Sequence, residues 1–131
     1  MRIKVLTIDD ESSFTSLIRM NLEREGEFEV QEENDPTYAL SVAREFCPHV
    51  ILLDMVMPGL TGAEIAELFG EDPNLRRIPI VMLTALVSRD ESGDDEFFVP
   101  QVKKVLPKPV DLATLKNTLF EVVANDQRPA P

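Results

Sequence analysis

Val50-Ile51-Leu52-Leu53-Asp54, followed by Met55-Val56-Met57-Pro58-Gly59, is the stretch whose reading decides the fold. A short, continuously apolar run of this kind predicts a strand buried on both faces, as in a parallel sheet covered by helices. An aspartate ends it, and a Met-Pro-Gly turn follows. The pattern repeats outward in both directions. Ile80-Val81-Met82-Leu83 is a second run of the same kind, Ile3 to Ile8 and Phe28 to about Glu33 precede the central one, and Val102 to Leu106 is a weaker last strand. Helical patterns fill the intervals. Phe14, Leu17, Ile18 and Leu22 share one helical face. Asp35-Pro36 gives an N-cap with proline at the first helical position, ahead of Ala39, Leu40 and Ala43. Thr61 with Glu64 forms a capping-box pattern before Ile65, Leu68 and Phe69, and Asp111 caps a last helix carrying Leu112, Leu115, Leu119 and Val122. Alternating strands and helices predict an α/β fold built of βα units around a parallel sheet. The fourth helical position is the exception. Ser88 to Glu96 is polar, broken by Gly93 and followed by Pro100, so a short or irregular helix is expected there.

The length of 131 residues fits one domain with a core of its own; we place it at 1–125, with a flexible tail at 126–131. A single cysteine, Cys47, excludes an internal disulfide and fits the reducing cytoplasm; it reads as a small, semi-buried residue. No run of eighteen apolar residues predicts a membrane span, and Met1-Arg2-Ile3-Lys4 does not lead into the apolar core of a signal peptide. The formal charge of −11 argues against direct nucleic-acid binding and against docking on an anionic membrane. It fits a domain that meets other proteins, or one that gathers carboxylates around a cation. His49 reads as a surface residue, and Met55 and Met57 as packing residues close to a site mouth.

In an open parallel sheet, ligands sit at the carboxyl ends of the strands. Here those ends carry Asp9-Asp10, Asp54, Thr84 and Lys108-Pro109. Three carboxylates, a hydroxyl and an ammonium therefore converge on one edge. Carboxylates so close repel one another unless a cation lies among them, and a hard divalent ion such as Mg²⁺ is the natural partner of an all-oxygen set. Thr84 is placed to donate to a phosphoryl oxygen and Lys108 to offset its charge. A central carboxylate, Asp54, is a plausible nucleophile that forms an acyl phosphate. The turn after it would hold the Val56 carbonyl near the metal.

These motifs resemble the receiver domains of two-component response regulators over roughly residues 2–124. The matching residues are Ile8-Asp9-Asp10, Leu53-Asp54-Met55-Val56-Met57-Pro58-Gly59, Leu83-Thr84-Ala85 and Lys108-Pro109. The resemblance implies a doubly wound five-stranded sheet of order 2-1-3-4-5, flavodoxin-like, and a cis Lys108-Pro109 bond. It implies that Asp10, Asp54 and the Val56 carbonyl bind Mg²⁺ directly and that Asp9 acts largely through water. It implies phosphotransfer to Asp54 from a sensor histidine kinase or a histidine phosphotransfer protein, with the signal passed to a downstream protein. Two other classes compete with this switch. A Mg²⁺-dependent aspartyl-phosphate phosphohydrolase would carry an Asp-x-Asp motif on its first strand, whereas this one ends Asp9-Asp10. A receiver-like scaffold that takes no phosphate would lack a site residue, and none is missing here.

Two departures from the family pattern carry expectations. Val56 and Leu86 border the approach of the hydrolytic water in receivers; both are apolar here, so a long-lived phosphorylated form is expected. Receivers commonly carry Tyr or Phe three residues before the strand-five lysine, where this chain has Val105, so the aromatic switch is expected to be absent. Movement or ordering of Ala85 to Gln101 would then report phosphorylation.

Overall fold

The computed structural model describes residues 2–85 and 100–126. Five strands, β1 (Ile3–Ile8), β2 (Phe28–Glu33), β3 (Val50–Asp54), β4 (Ile80–Thr84) and β5 (Val102–Pro107), form one sheet of order β2-β1-β3-β4-β5. Every pairing is parallel. Helices α1 (Ser12–Glu23), α2 (Ala39–Phe46), α3 (Gly62–Glu71) and α4 (Leu112–Ala124) cover it. This is the doubly wound α/β architecture expected from the sequence. The fourth helical position, Leu86 and the apolar residues Phe97 to Val99 lie outside the described residues.

The sheet divides the core into two layers. Ile51, Leu53, Ile80 and Met82 pack on one face with Ile65 and Phe69 of α3. Leu52, Val81 and Leu83 pack on the other with Ile18 and Leu22 of α1 and Leu115 and Leu119 of α4. β3 and β4 are buried along their whole length, as continuous apolar runs require, whereas edge strand β2 buries Phe28 and Val30 and exposes Glu29 and Gln31.

Local signals act as their chemistry dictates. Thr61 and Glu64 form the reciprocal capping box of α3, at 2.9 and 3.2 Å. Asp111 accepts from the Thr114 N–H at 3.2 Å and starts α4. Asp35 caps a 3₁₀ turn, Pro36–Tyr38, and the α-helix begins only at Ala39. Proline fixes the first turn, and the Thr37 N–H and hydroxyl both bind Asp35 Oδ1, which tightens it.

Three packing expectations are corrected. Leu17 and Leu68, placed on buried helical faces by spacing, are 54% and 39% exposed. On α1 the inward position goes to Thr15, which is held by Glu32 at 2.7 Å. Met57 is a packing residue as expected, buried in the core layer that contains Ile65 and Phe69. Cys47 is exposed: it closes α2 in the left-handed conformation at φ 54°, which turns its side chain out of the core. His49 is tied to β1 rather than free at the surface, its N–H donating to the Lys4 carbonyl and its Nδ1 accepting from the Lys4 N–H. No helix among the described residues is long and apolar enough to cross a membrane.

Candidate functional site

Parallel packing brings the ends of β1, β3, β4 and β5 to one edge. Asp9, Asp10 and Asp54 each place a carboxylate oxygen within 4.8 Å of the others. Asp9 and Asp54 are buried, at 1% and 6% exposure, while Asp10 faces solvent. Thr84 is fully buried at the end of β4. Lys108 reaches back from β5, its Nζ 2.6 Å from Asp9 Oδ2 and 3.4 Å from Asp54 Oδ1. The Lys108 N–H donates to the Thr84 carbonyl at 2.9 Å, and the Lys108–Pro109 bond is cis. Val56 is half exposed, and its N–H lies 3.4 Å from Asp54 Oδ1. Asp9, Asp10, Asp54, Thr84 and Lys108 thus lie at one sheet edge, with Val56 just after Asp54.

The electrostatics follow from that crowding. Burial raises the Asp54 pKa above the ordinary 3.8, and the Asp9 charge raises it further; Lys108 and the Val56 N–H oppose the shift without cancelling it. For Lys108, burial is the largest single influence and acts downward. The hydrogen bond and charge of Asp9, joined by Asp54, outweigh it and raise the pKa above 10.5. The donor set is entirely oxygen, and its crowded carboxylates fit a hard divalent cation.

The raised Asp54 pKa makes a stability prediction. Folding takes up a proton at this site, so the ionised carboxylate costs stability at neutral pH. In the presence of a chelator, Asp54→Asn is expected to stabilise the chain by about 1 kcal/mol at neutral pH. The gain should shrink as pH falls through the raised folded value toward 3.8, where the wild-type carboxyl is itself protonated. Urea denaturation across that range checks both; a destabilised Asn variant at neutral pH contradicts the assignment of strain to this carboxylate.

The structure adds residues that sequence reading missed. Asn34, just past β2, donates through Nδ2 to the Asp9 carbonyl at 2.8 Å and to Thr15 Oγ1 at 2.9 Å. This ties the β1 end to α1 and β2. Asn34 lies at the same sheet edge as the other strand-end residues, which is the signal that could have found it. Phe14 places its ring 4.3 Å from Lys108 Nζ, a cation–π contact that helps aim the ammonium.

Gly62 is the other addition. Its N–H donates to the Met55 carbonyl at 2.8 Å, so α3 begins directly on the peptide after Asp54. A Cβ there would stand 2.5 Å from the Asp54 carbonyl oxygen and 2.7 Å from Met55 Cα. Both are backbone atoms and cannot rotate away. Gly62→Ala is therefore expected to cost about 1–3 kcal/mol and to slow any chemistry at Asp54 by displacing its backbone. Denaturation midpoint and phosphorylation rate check the two effects; wild-type values for both contradict the contact.

An acid cluster, hydroxyl and lysine at the carboxyl edge of a 2-1-3-4-5 sheet define a receiver-type site on a flavodoxin-like fold. The model of the response regulator receiver domain matches residues 5–120, and the chain belongs to that family. It is 34% identical over 109 residues to the DNA-binding response regulator MtrA of Mycolicibacterium paratuberculosis, covering 79% of this chain and 47% of that protein. It is 34% identical over 112 residues to the response regulator PleD of Caulobacter vibrioides, covering 81% and 24%. The chain therefore spans less than half the length of these relatives. Among solved structures, Vibrio cholerae chemotaxis protein CheY4 superposes with a TM-score of 0.82 at 30% identity, over 93% of this chain and 99% of that one. A putative response regulator from Chloroflexus aurantiacus shares the fold, with a TM-score of 0.83 at 22% identity over 95% and 100%.

Proposed function

We propose that this chain accepts a phosphoryl group on Asp54 from a phosphohistidine donor, on a sensor histidine kinase or a histidine phosphotransfer protein, and presents an altered surface to a downstream protein. The observation that carries this is the meeting of Asp54 with Asp9, Asp10, Thr84 and Lys108 at one sheet edge, with the ammonium within 3.4 Å of the acceptor oxygen. An Asp54 carboxylate oxygen attacks phosphorus. The O–P bond forms as the P–N bond breaks, and the imidazole leaves with the electron pair. The Lys108 ammonium holds Asp54 and Asp9 before transfer and meets the phosphoryl oxygens after it. The Thr84 hydroxyl donates to another of those oxygens. Asp9, Asp10, Asp54 and the Val56 carbonyl would hold Mg²⁺, which when bound offsets the charge of the transferring group. With a formal charge of −11 and an acid-rich active edge, the surface suits protein partners rather than nucleic-acid phosphates.

The phosphoryl mimic beryllofluoride tests the reading. Fluorine NMR should show stoichiometric binding only when Mg²⁺ is present. Asp10→Ala should weaken Mg²⁺ binding at least about tenfold, because it deletes the most accessible carboxylate of the set. Binding of the mimic in a chelator, or unchanged metal affinity in the variant, contradicts the proposed site.

A further inference from the structure

In the run Glu32-Glu33-Asn34-Asp35 every residue is an acid except Asn34. The three acids are spent elsewhere: Glu32 on Thr15, Glu33 on the Asp35 N–H, and Asp35 on capping the 3₁₀ turn. The neutral residue is the one that turns to the acid cluster, donating through Nδ2 to the Asp9 carbonyl at 2.8 Å and to Thr15 Oγ1 at 2.9 Å. Both partners require a donor at this position. A carbonyl can only accept. The Thr15 hydroxyl is fully buried and has a single hydrogen, whose shortest contact is Glu32 Oε1 at 2.7 Å, so it meets Asn34 as an acceptor. A carboxylate in place of the amide would set lone pairs against both oxygens. It would also bring a further negative charge toward Asp9, Asp10 and Asp54.

Asn34 is itself held on both sides. Glu33 pairs with Ile8 at the end of the ladder, and its carbonyl accepts from the Asp9 N–H at 3.1 Å. Asp35 is extended at φ −118°, as a residue before proline tends to be. Asp9 in turn is anchored at four atoms. Its N–H meets Glu33, its carbonyl meets Asn34, its Oδ1 accepts from the Glu11 N–H at 3.0 Å, and its Oδ2 meets Lys108 at 2.6 Å. Of these four, the Asn34 bond is the one that acts on the peptide plane leading into Asp10. Asp10 faces solvent. No protein wall confines its carboxylate, so its position follows from the backbone that carries it.

We propose that Asn34 is a positioning residue of the cation site: by holding the Asp9–Asp10 peptide through its amide hydrogens, it aims the Asp10 carboxylate at the ion. This rests on the Mg²⁺ site proposed above. Groups that orient a metal's ligands contribute to affinity almost as the ligands do. Mg²⁺ is the ion most sensitive to such aim, because it demands near-ideal octahedral geometry, whereas Ca²⁺ accepts flexible ligand sets. A loosened Asp10 therefore penalises Mg²⁺ more than Ca²⁺.

Mg²⁺ and Ca²⁺ titrations of the isotope-labelled wild-type chain and Asn34→Ala, followed by amide NMR, test the proposal. The variant should bind Mg²⁺ at least about tenfold more weakly. Its ratio of Mg²⁺ to Ca²⁺ affinity should fall at least about threefold. A loss of stability alone would not move that ratio in a chain that stays folded. In a chelator, the Asp9 carbonyl carbon resonance should shift with the loss of its donor. If Asn34→Ala fails to fold, Asn34→Leu, which keeps the side-chain volume, serves in its place with the same expected losses. Wild-type Mg²⁺ binding with an unchanged affinity or an unchanged ratio in the folded variant overturns the role of Asn34 and leaves the site standing. A wild-type chain that takes up no Mg²⁺ overturns the site, and this role with it.

Discussion

Lys108→Ala is expected to slow phosphorylation of Asp54 by about 10²–10³-fold while leaving Mg²⁺ affinity no lower than wild type. The size follows from removing one preorganised cationic donor aimed at the oxygens where charge collects during transfer. The separation of the two effects follows from the geometry. Lys108 Nζ lies 2.6 Å from Asp9 and 3.4 Å from Asp54, so it shares the carboxylates with any metal rather than holding the metal itself. Deleting it leaves Asp9, at 1% exposure, short of a counter-charge. The metal-free variant should therefore lose about 1–3 kcal/mol, and added Mg²⁺ should restore part of that loss. The ammonium's contribution has a defined pH window. Its folded pKa is raised, so the contribution is complete below 10.5 and is lost as pH rises through the folded value. Rate measurements with a small acyl phosphate donor, alongside a Mg²⁺ titration, check the prediction. A parallel loss of metal affinity would place Lys108 in the metal site instead.

Strand-end residues were legible from sequence because parallel strands give side chains no choice of edge. Once Val50–Leu53 is read as a doubly buried strand, Asp54 must emerge at its carboxyl end, and the same holds for Asp9, Thr84 and Lys108. The supporting shell was not legible. Gly62 matters because of a contact with the Asp54–Met55 backbone, and the approach of α3 to β3 is a tertiary fact that spacing does not encode. Asn34 likewise acts across elements, on the Asp9 carbonyl and Thr15. The misplacement of Leu17 has the same origin. Which face of α1 turns inward is set by how the helix docks on the sheet: Thr15, Ile18 and Leu22 are buried, Thr15 held by Glu32, and Leu17 lies outside that face. Val105 at the strand-five position is packed against the core layer that contains Met82 and Ile65. A β-branched side chain held there has little freedom to change rotamer.

Asp54 is the centre of the account, and its replacement should have the largest effect of all. It is the carboxylate that burial and Asp9 make costly to ionise without a cation, and it ends the central strand beside Thr84. An amide in its place cannot form the acyl phosphate, whereas Asp9 is held by Lys108 and by the Glu11 N–H, and Asp10 points to solvent. The direct measurement is intact-mass spectrometry of wild type and Asp54→Asn after incubation with an acyl phosphate donor and Mg²⁺. The wild-type chain should gain the mass of one phosphoryl group, lost on treatment with hydroxylamine, which cleaves acyl phosphates. The Asn variant should gain none, while still folding and melting no lower than wild type in a chelator. A stoichiometric phosphoryl adduct on Asp54→Asn would contradict the assignment.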